Sequence, residues 1–179
     1  MHTITLVTGN ANKLRELQAL VPDTLRIVAQ SIDLPEIQNM DVREIVEDKV
    51  RRAYEVIKAP VIVEDVSTGL DNLGGLPGPF FKFFEGTLGK RTLLVLSRVQ
   101  EPKVTIRCVA AYYDGDQMLF GEGIIHGHAV EPRGENGFGF DFSVVPIGQT
   151  HTMAEMTLEE KNAISHRGQA FRDLLRQLT

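Results

Sequence analysis

The residues most able to do chemistry open with the loop Thr8-Gly9-Asn10-Ala11-Asn12-Lys13, which follows the short apolar run Ile4–Val7. Small polar residues that open a helix present free backbone N–H groups to an anion, and the helix dipole adds to the attraction. Thr8 and Asn10 add side-chain donors, and Lys13 adds a charge within the first turn. A cation at a helix N-terminus opposes the dipole, a cost that makes sense if an anion sits there. The same residues also read as a plain strand-to-helix turn capped by Asn10. The spacing is not that of a Walker loop.

Acids and lysines form the next group. Glu64 and Asp65 follow the apolar run Val61-Ile62-Val63, at the carboxyl end of a strand, where ligands gather in α/β sheets. Glu36 lies in the loop Asp33-Leu34-Pro35-Glu36. Hard oxygen ligands suit magnesium, which takes one or two carboxylates together with phosphates and waters. They read equally as solvated acids at strand and loop ends. Lys49 falls within the apolar stripe Ile45, Val46, Val50, Ala53, Tyr54 and Ile57 of a helix. It must either snorkel to an edge or meet a buried anion.

Phe138-Gly139-Phe140-Asp141 could sandwich a flat base between aromatic faces, or could be core packing near a bulge. Lys161 and Ser165 share a helix face, whereas Arg167 points well round from them. If Lys161 and Arg167 serve one pocket, the helix breaks near Ser165-His166, with Gly168 easing the restart. Otherwise these residues are the basic surface of an amphipathic helix.

The elements that position these groups follow from periodicity and punctuation. Strands are expected at Ile4–Val7, Leu25–Ala29, Val61–Val63, Val104–Tyr113, Met118–Ile125 and Phe142–Val145. Leu14, Leu17, Leu20 and Val21 have helical spacing, closed by Pro22. Asp41 with Glu44, and Thr157 with Glu160, have the spacing of capping boxes. The first opens a helix that ends before Pro60. A glycine-rich stretch, Gly69–Gly78, precedes the aromatic segment Phe80–Phe84, and Arg91–Val99 looks helical. Asp114-Gly115 signals a hairpin, and Pro132–Gly139 reads as a loop. Strands alternate with helices early and form a hairpin late, which predicts an α/β fold with a mixed β-sheet and flanking helices.

Composition narrows the class. The 179 residues suit one domain, with no repeat or linker to divide it. No apolar run reaches the roughly 18 residues of a membrane span. The start lacks the pattern of a secretion signal, and the lone Cys108 sits in a strand-like run, where it is expected to be a buried, inert thiol. These features fit a cytoplasmic location. A net charge of −5 argues against a broad nucleic-acid-binding surface, yet leaves room for lysines converging on a small anionic ligand.

In order along the chain, these stretches resemble the inosine triphosphate pyrophosphatase family. The matching residues are the loop at 8–13, Asp-Leu-Pro-Glu at 33–36, Lys49, Val-Glu-Asp at 63–65, Leu-Gly-Gly-Leu-Pro-Gly-Pro at 73–79 with Lys82, Pro-Arg-Gly at 132–134, Phe-Gly-Phe-Asp at 138–141, Ala-Glu-Met at 154–156 and Glu-Lys-Asn-Ala-Ile-Ser-His-Arg at 160–167. The resemblance implies an elongated, two-lobed fold with a central cleft, usually a homodimer. It implies hydrolysis of ITP, dITP and XTP to the monophosphate and pyrophosphate. Glu36 and Asp65 would hold Mg2+, with Glu64 close by as a second acid, and Asp65 or Glu64 would activate the water. Thr8 to Lys13, Lys49, Lys82 and Lys161 would contact the triphosphate. Phe138 and Phe140 would stack on the base, with Gly139 between them, and Asp141, His166 and Arg167 would line its edge. Donors such as Arg167 facing a 6-oxo group would disfavour adenine.

Three positions depart from the family pattern. Val66 stands where a hydroxyl residue is usual, which puts a phosphate or metal-water contact in doubt. Phe140 replaces Trp or Tyr, and Phe142 replaces proline. A catalytically weak nucleotide sensor and a pyrophosphatase for modified pyrimidine nucleotides are the competing readings. The retained acids and lysines disfavour the first, and the segments at 138–141 and 166–167 disfavour the second.

Overall fold

A computed structural model describes residues 2–178. Strand β1 (His2–Val7) pairs in parallel with β2 (Leu25–Gln30), Ile4 standing opposite Ile27. On its other side β1 runs parallel to β3 (Val61–Leu70), with Leu6 opposite Ile62. The sheet continues through β5 (Lys103–Tyr113) and β6 (Met118–Ala129) to β7 (Val144–Pro146), which is antiparallel to β6. The short β4 (Pro77–Gly78) pairs antiparallel with the distal end of β3. The described residues therefore form a seven-stranded mixed sheet, as the alternation of elements predicts.

Two compact units share these strands, and neither is continuous in sequence. The first comprises Met1–Asp65, Cys108–Gly123 and His166–Thr179. The second comprises Val66–Arg107 and Ile124–Ser165.

In the first unit, α1 (Ala11–Gln18) and α2 (Val42–Ile57) follow β1 and β2. The α2 stripe Val42, Val46, Val50 and Ala53 packs on Val7, Val61, Val63, Val109 and Ala111, and all are buried. The last helix, α6 (His166–Leu178), lies against a pair of glycines on β6. A Cβ on Gly121 would strike the carbonyl oxygen of Ala170, and one on Gly123 would strike that of His166. Only glycine permits this approach. It sets the first turn of α6 directly on the sheet.

The second unit holds α3 (Phe81–Leu88), α4 (Thr92–Ser97) and α5 (Leu158–Ile164). Its core gathers Leu70, Phe81, Leu93, Val104, Ile106, Ile125, Val144 and Met153, with Val66 and Phe140 packed against it.

Several local expectations change. β3 does not stop near Val63 but runs to Leu70, so Glu64 and Asp65 are mid-strand. Beyond them Val66 and Leu70 supply the apolar alternation, and pairing with β4 extends the ladder. α1 ends at Gln18, because Pro22 cannot donate to the carbonyl of Gln18 and biases Val21 away from helix. Asp41 caps α2 by accepting the Arg43 N–H at 2.9 Å, but its own N–H goes to Asn39 Oδ1 at 2.9 Å. Glu44 is not the reciprocal partner of a capping box there. At α5 the box forms as expected: Glu160 N–H to Thr157 Oγ1 at 3.2 Å and Thr157 N–H to Glu160 Oε2 at 2.8 Å. The hairpin at Asp114 is a longer connection, in which Asp114 Oδ1 accepts the N–H groups of Asp116 and Gln117. Residues 139–143, expected to lead into a strand at Phe142, form a 3-10 turn, and the strand begins at Val144.

The expected break at Ser165 is present. Its ψ of 154° is extended, which ends α5 before α6 begins at His166.

Candidate active site

In the first unit the loop after β1 folds on its own side chains. Asn10 N–H donates to Thr8 Oγ1 at 3.0 Å, and Asn12 N–H donates to Asn10 Oδ1 at 2.9 Å. Asn10 is thus a true cap. Lys13, one turn into α1, reaches the carboxylate of Glu64 on β3.

Glu64 is the centre of a buried ionic chain. Its Oε2 accepts Arg167 Nε at 3.2 Å, and Arg167 Nη1 donates to Glu16 Oε2 at 2.7 Å. Lys13, Glu64, Arg167 and Glu16 alternate in sign, and only Lys13 has appreciable exposure. Burial alone would raise the Glu64 carboxyl. The charges of Arg167 and Lys13 outweigh it and hold the group far below the ordinary carboxylate range. Burial likewise disfavours the Arg167 charge, but Glu64 and Glu16 keep it firmly protonated. Cys108 Sγ lies 3.5 Å from Glu64 Oε2. Burial, reinforced by the Glu64 charge, pushes its thiol well above the usual value, so it stays a buried, unreactive thiol as expected. His166, beside Arg167, is fully buried at the start of α6.

Asp65 points the other way, since neighbouring strand residues face opposite sides of a sheet. There it meets Lys49 of α2, whose Nζ is 4.0 Å from Asp65 Oδ2 and 2.5 Å from Glu36 Oε1. Lys49 therefore does not simply snorkel to solvent; it sits between two acids. Burial would lower its pKa, but Asp65 and Glu36 outweigh that and raise it. Among the described residues, no three His, Cys, Asp or Glu side chains gather to enclose a metal ion. Glu36 and Asp65 both face one cation, the Lys49 ammonium. Magnesium typically takes one or two carboxylates, with phosphate and water oxygens completing its shell.

In the second unit, Asp141 is 2% exposed and acts as an internal clamp. Its Oδ2 accepts Lys161 Nζ at 2.6 Å and Phe138 N–H at 2.9 Å. The Lys161 ammonium lies 5.1 Å from the Phe138 ring centre, within cation–π range. Phe140 meets Phe81 of α3 edge to face, ring centres 5.6 Å apart. Lys82 is on the exposed side of α3, 5.3 Å from the Phe83 ring. Val66 contributes apolar packing to the core here, so no hydroxyl is offered at that position.

Similarity to known proteins is extensive. The family model described as the Ham1 family matches residues 4–177. A Schizosaccharomyces pombe protein named inosine triphosphate pyrophosphatase is 40% identical, covering 93% of this chain and 90% of its own length. A Trypanosoma cruzi protein named inosine triphosphate pyrophosphatase 2 is 44% identical, covering 94% and 88%. The structure of a HAM1 protein from Coxiella burnetii superposes with a TM-score of 0.87 at 29% identity, covering 99% of this chain and 98% of that one. The chain belongs to the Ham1 family.

For a Ham1-family chain, the geometry gathers Lys13 and Arg167 on Glu64, Lys49 and Glu36 with Asp65, and Phe138 and Lys161 on Asp141. Reading the sequence passes over two acids. Glu16 belongs to the buried chain, yet nothing in an amphipathic helix marks it except that it stands three residues from Lys13 and so shares its face. Glu85 is the other. It stands four residues from Phe81 on α3, a spacing that marks the same helix face.

Proposed function

We propose that this chain hydrolyses non-standard purine nucleoside triphosphates, ITP, dITP and XTP, to the monophosphate and pyrophosphate, with Mg2+ as cofactor. The observation that carries this reading is the Glu36–Lys49–Asp65 group. It offers two acids for a hard cation and one ammonium for the phosphates that the cation accompanies. The names of the relatives agree with it.

Glu36 and Asp65 would hold the ion, which when bound neutralises phosphate charge and orients its oxygens. Asp65 also takes the role of orienting and deprotonating the attacking water. Glu64 suits that role poorly, because two cations hold it ionised and buried. Its task in this reading is to fix Lys13 and Arg167. The loop Thr8 to Lys13 and the lysines Lys49, Lys82 and Lys161 bind the triphosphate and stabilise charge on the leaving pyrophosphate. Phe138 and Phe140, flanking Gly139, stack on the base. Asp141 keeps Phe138 and Lys161 in place. His166 and Arg167 take the role of lining the base edge, and Arg167 also orders Glu64. Val66 adds shape rather than a polar contact. Residues 1–179 act as one domain, since neither compact unit is contiguous, and the protein works as a cytoplasmic homodimer.

The test is a substrate panel of ITP, XTP, dUTP, ATP and GTP, with and without Mg2+, with nucleotide products quantified. ITP and XTP turned over well ahead of ATP, and only with the ion, is the expected result. Equal rates on ATP and ITP would sink the selectivity, and undiminished rates in chelator would sink the cofactor. Within the same assay, Lys49→Ala is expected to raise KM for ITP by roughly one to two orders of magnitude with a smaller change in kcat. A fall in kcat at unchanged KM would instead give Lys49 a role confined to the transition state.

A further inference from the structure

Glu85 has the geometry of a ligand-reading residue. Phe81 and Glu85 are one helical turn apart and share a face of α3. That face is turned toward the 3-10 turn at 139–143, because the Phe81 ring packs against Phe140. The Glu85 carboxylate lies over Gly139: its oxygens are 3.8 and 3.9 Å from where a Cβ of that residue would stand. Gly139 has a φ of +63°, a conformation that keeps side chains away and leaves the space beneath the carboxylate open.

The two acids of this region differ in what they have left to offer. Asp141 is buried and its Oδ2 already accepts from Lys161 and from the Phe138 backbone. Glu85 is half-buried, and among the described residues nothing donates a hydrogen bond to it or pairs with it as an ion. Burial and the Asp141 charge push its carboxyl upward, with Lys90 pulling the other way. A partly desolvated acceptor without a donor, next to aromatic faces, is poised for a ligand N–H.

We propose that Glu85 accepts the N1–H of a 6-oxopurine and so helps to separate ITP and XTP from ATP. The proposal rests on the pyrophosphatase reading above. Hypoxanthine and xanthine carry a donor at N1, whereas adenine has a lone pair there. A carboxylate facing that atom gains a charge-assisted hydrogen bond with the first two and meets repulsion from the third. Phe138 and Phe140 set the plane of the base, and Glu85 reads an atom on its edge.

The experiment compares kcat/KM for ITP and ATP in the wild type and in Glu85→Gln, Glu85→Ala and Glu85→Asp, with a thermal melt of each. The ITP-to-ATP ratio is expected to fall at least about tenfold in the Gln and Ala variants, and Glu85→Asp to recover part of it. Binding of IMP against AMP, measured by calorimetry on the near-isosteric Glu85→Gln, should lose the same preference without any turnover. Ratios within twofold of wild type in all three variants, with ITP still cleaved, would overturn the role of Glu85. A wild-type protein that releases no pyrophosphate from ITP would overturn the underlying reading instead.

Discussion

Asp65→Asn is expected to abolish pyrophosphate release, with a fall in kcat on the order of 10³-fold or more. The substitution keeps the size, removes the charge and turns one acceptor oxygen into an N–H donor. In this account the charge does two things: it holds one side of the cation and it takes a proton from water. Asp65 is partly exposed, with a side-chain accessibility of 23%, and Lys49 keeps Glu36 as its closer partner. The fold therefore has little reason to change, and the melting temperature should stay within a few degrees. Steady-state assays at saturating ITP, run beside a thermal melt, separate the two effects. Normal turnover in Asp65→Asn would move the acid's role elsewhere, first to Glu36.

Arg167→Met is expected to destabilise the protein by about 3–5 kcal/mol, measured by urea unfolding at neutral pH. Arg167 is 3% exposed and bridges two carboxylates that are nearly as buried. Removing it leaves Glu64 with Lys13 and strips Glu16 of its 2.7 Å partner. An uncompensated buried charge costs far more than a lost surface pair. Adding Glu16→Gln to Arg167→Met should recover part of the loss, because it removes one stranded charge.

The pH dependence follows from the direction of the Glu64 shift. Its folded pKa lies below the ordinary value of 4.5, so the stability it supplies is fully present above that value and is lost as pH falls toward the folded pKa. In Arg167→Met the largest depressing charge is gone. The gap between wild type and variant should then narrow below about pH 4.5, as Glu64 takes up a proton. A gap that stays constant across acid pH would mean the loss comes from packing rather than charge.

What could be read in advance was mostly local. The loop at 8–13 carries its own cap, and the α2 stripe carries Lys49 within it, so both elements were legible from spacing. The break at Ser165 is legible because Lys161 and Arg167 fall on different faces of one continuous helix. Other features depended on partners distant in sequence. β3 continues past Asp65 because β4 pairs with it, and no residue between Val66 and Leu70 announces that partner. Asp141 looked available to a ligand because the lysine that consumes it lies 20 residues on. Glu16 has no mark of its own in the sequence, because its partner Arg167 lies 151 residues away. The glycines at 121 and 123 are explained by the backbone of α6, which no local pattern announces. Long-range ion pairs leave almost no periodic trace, whereas helix faces and caps do.

The central claim is that water attacks the α-phosphorus of ITP and that pyrophosphate leaves. Hydrolysis of ITP with Mg2+ in water enriched in the heavy oxygen isotope tests it directly. The account predicts IMP and pyrophosphate in equal amounts, with the label in the IMP phosphate. IDP and orthophosphate as products, or label in the pyrophosphate, would contradict it.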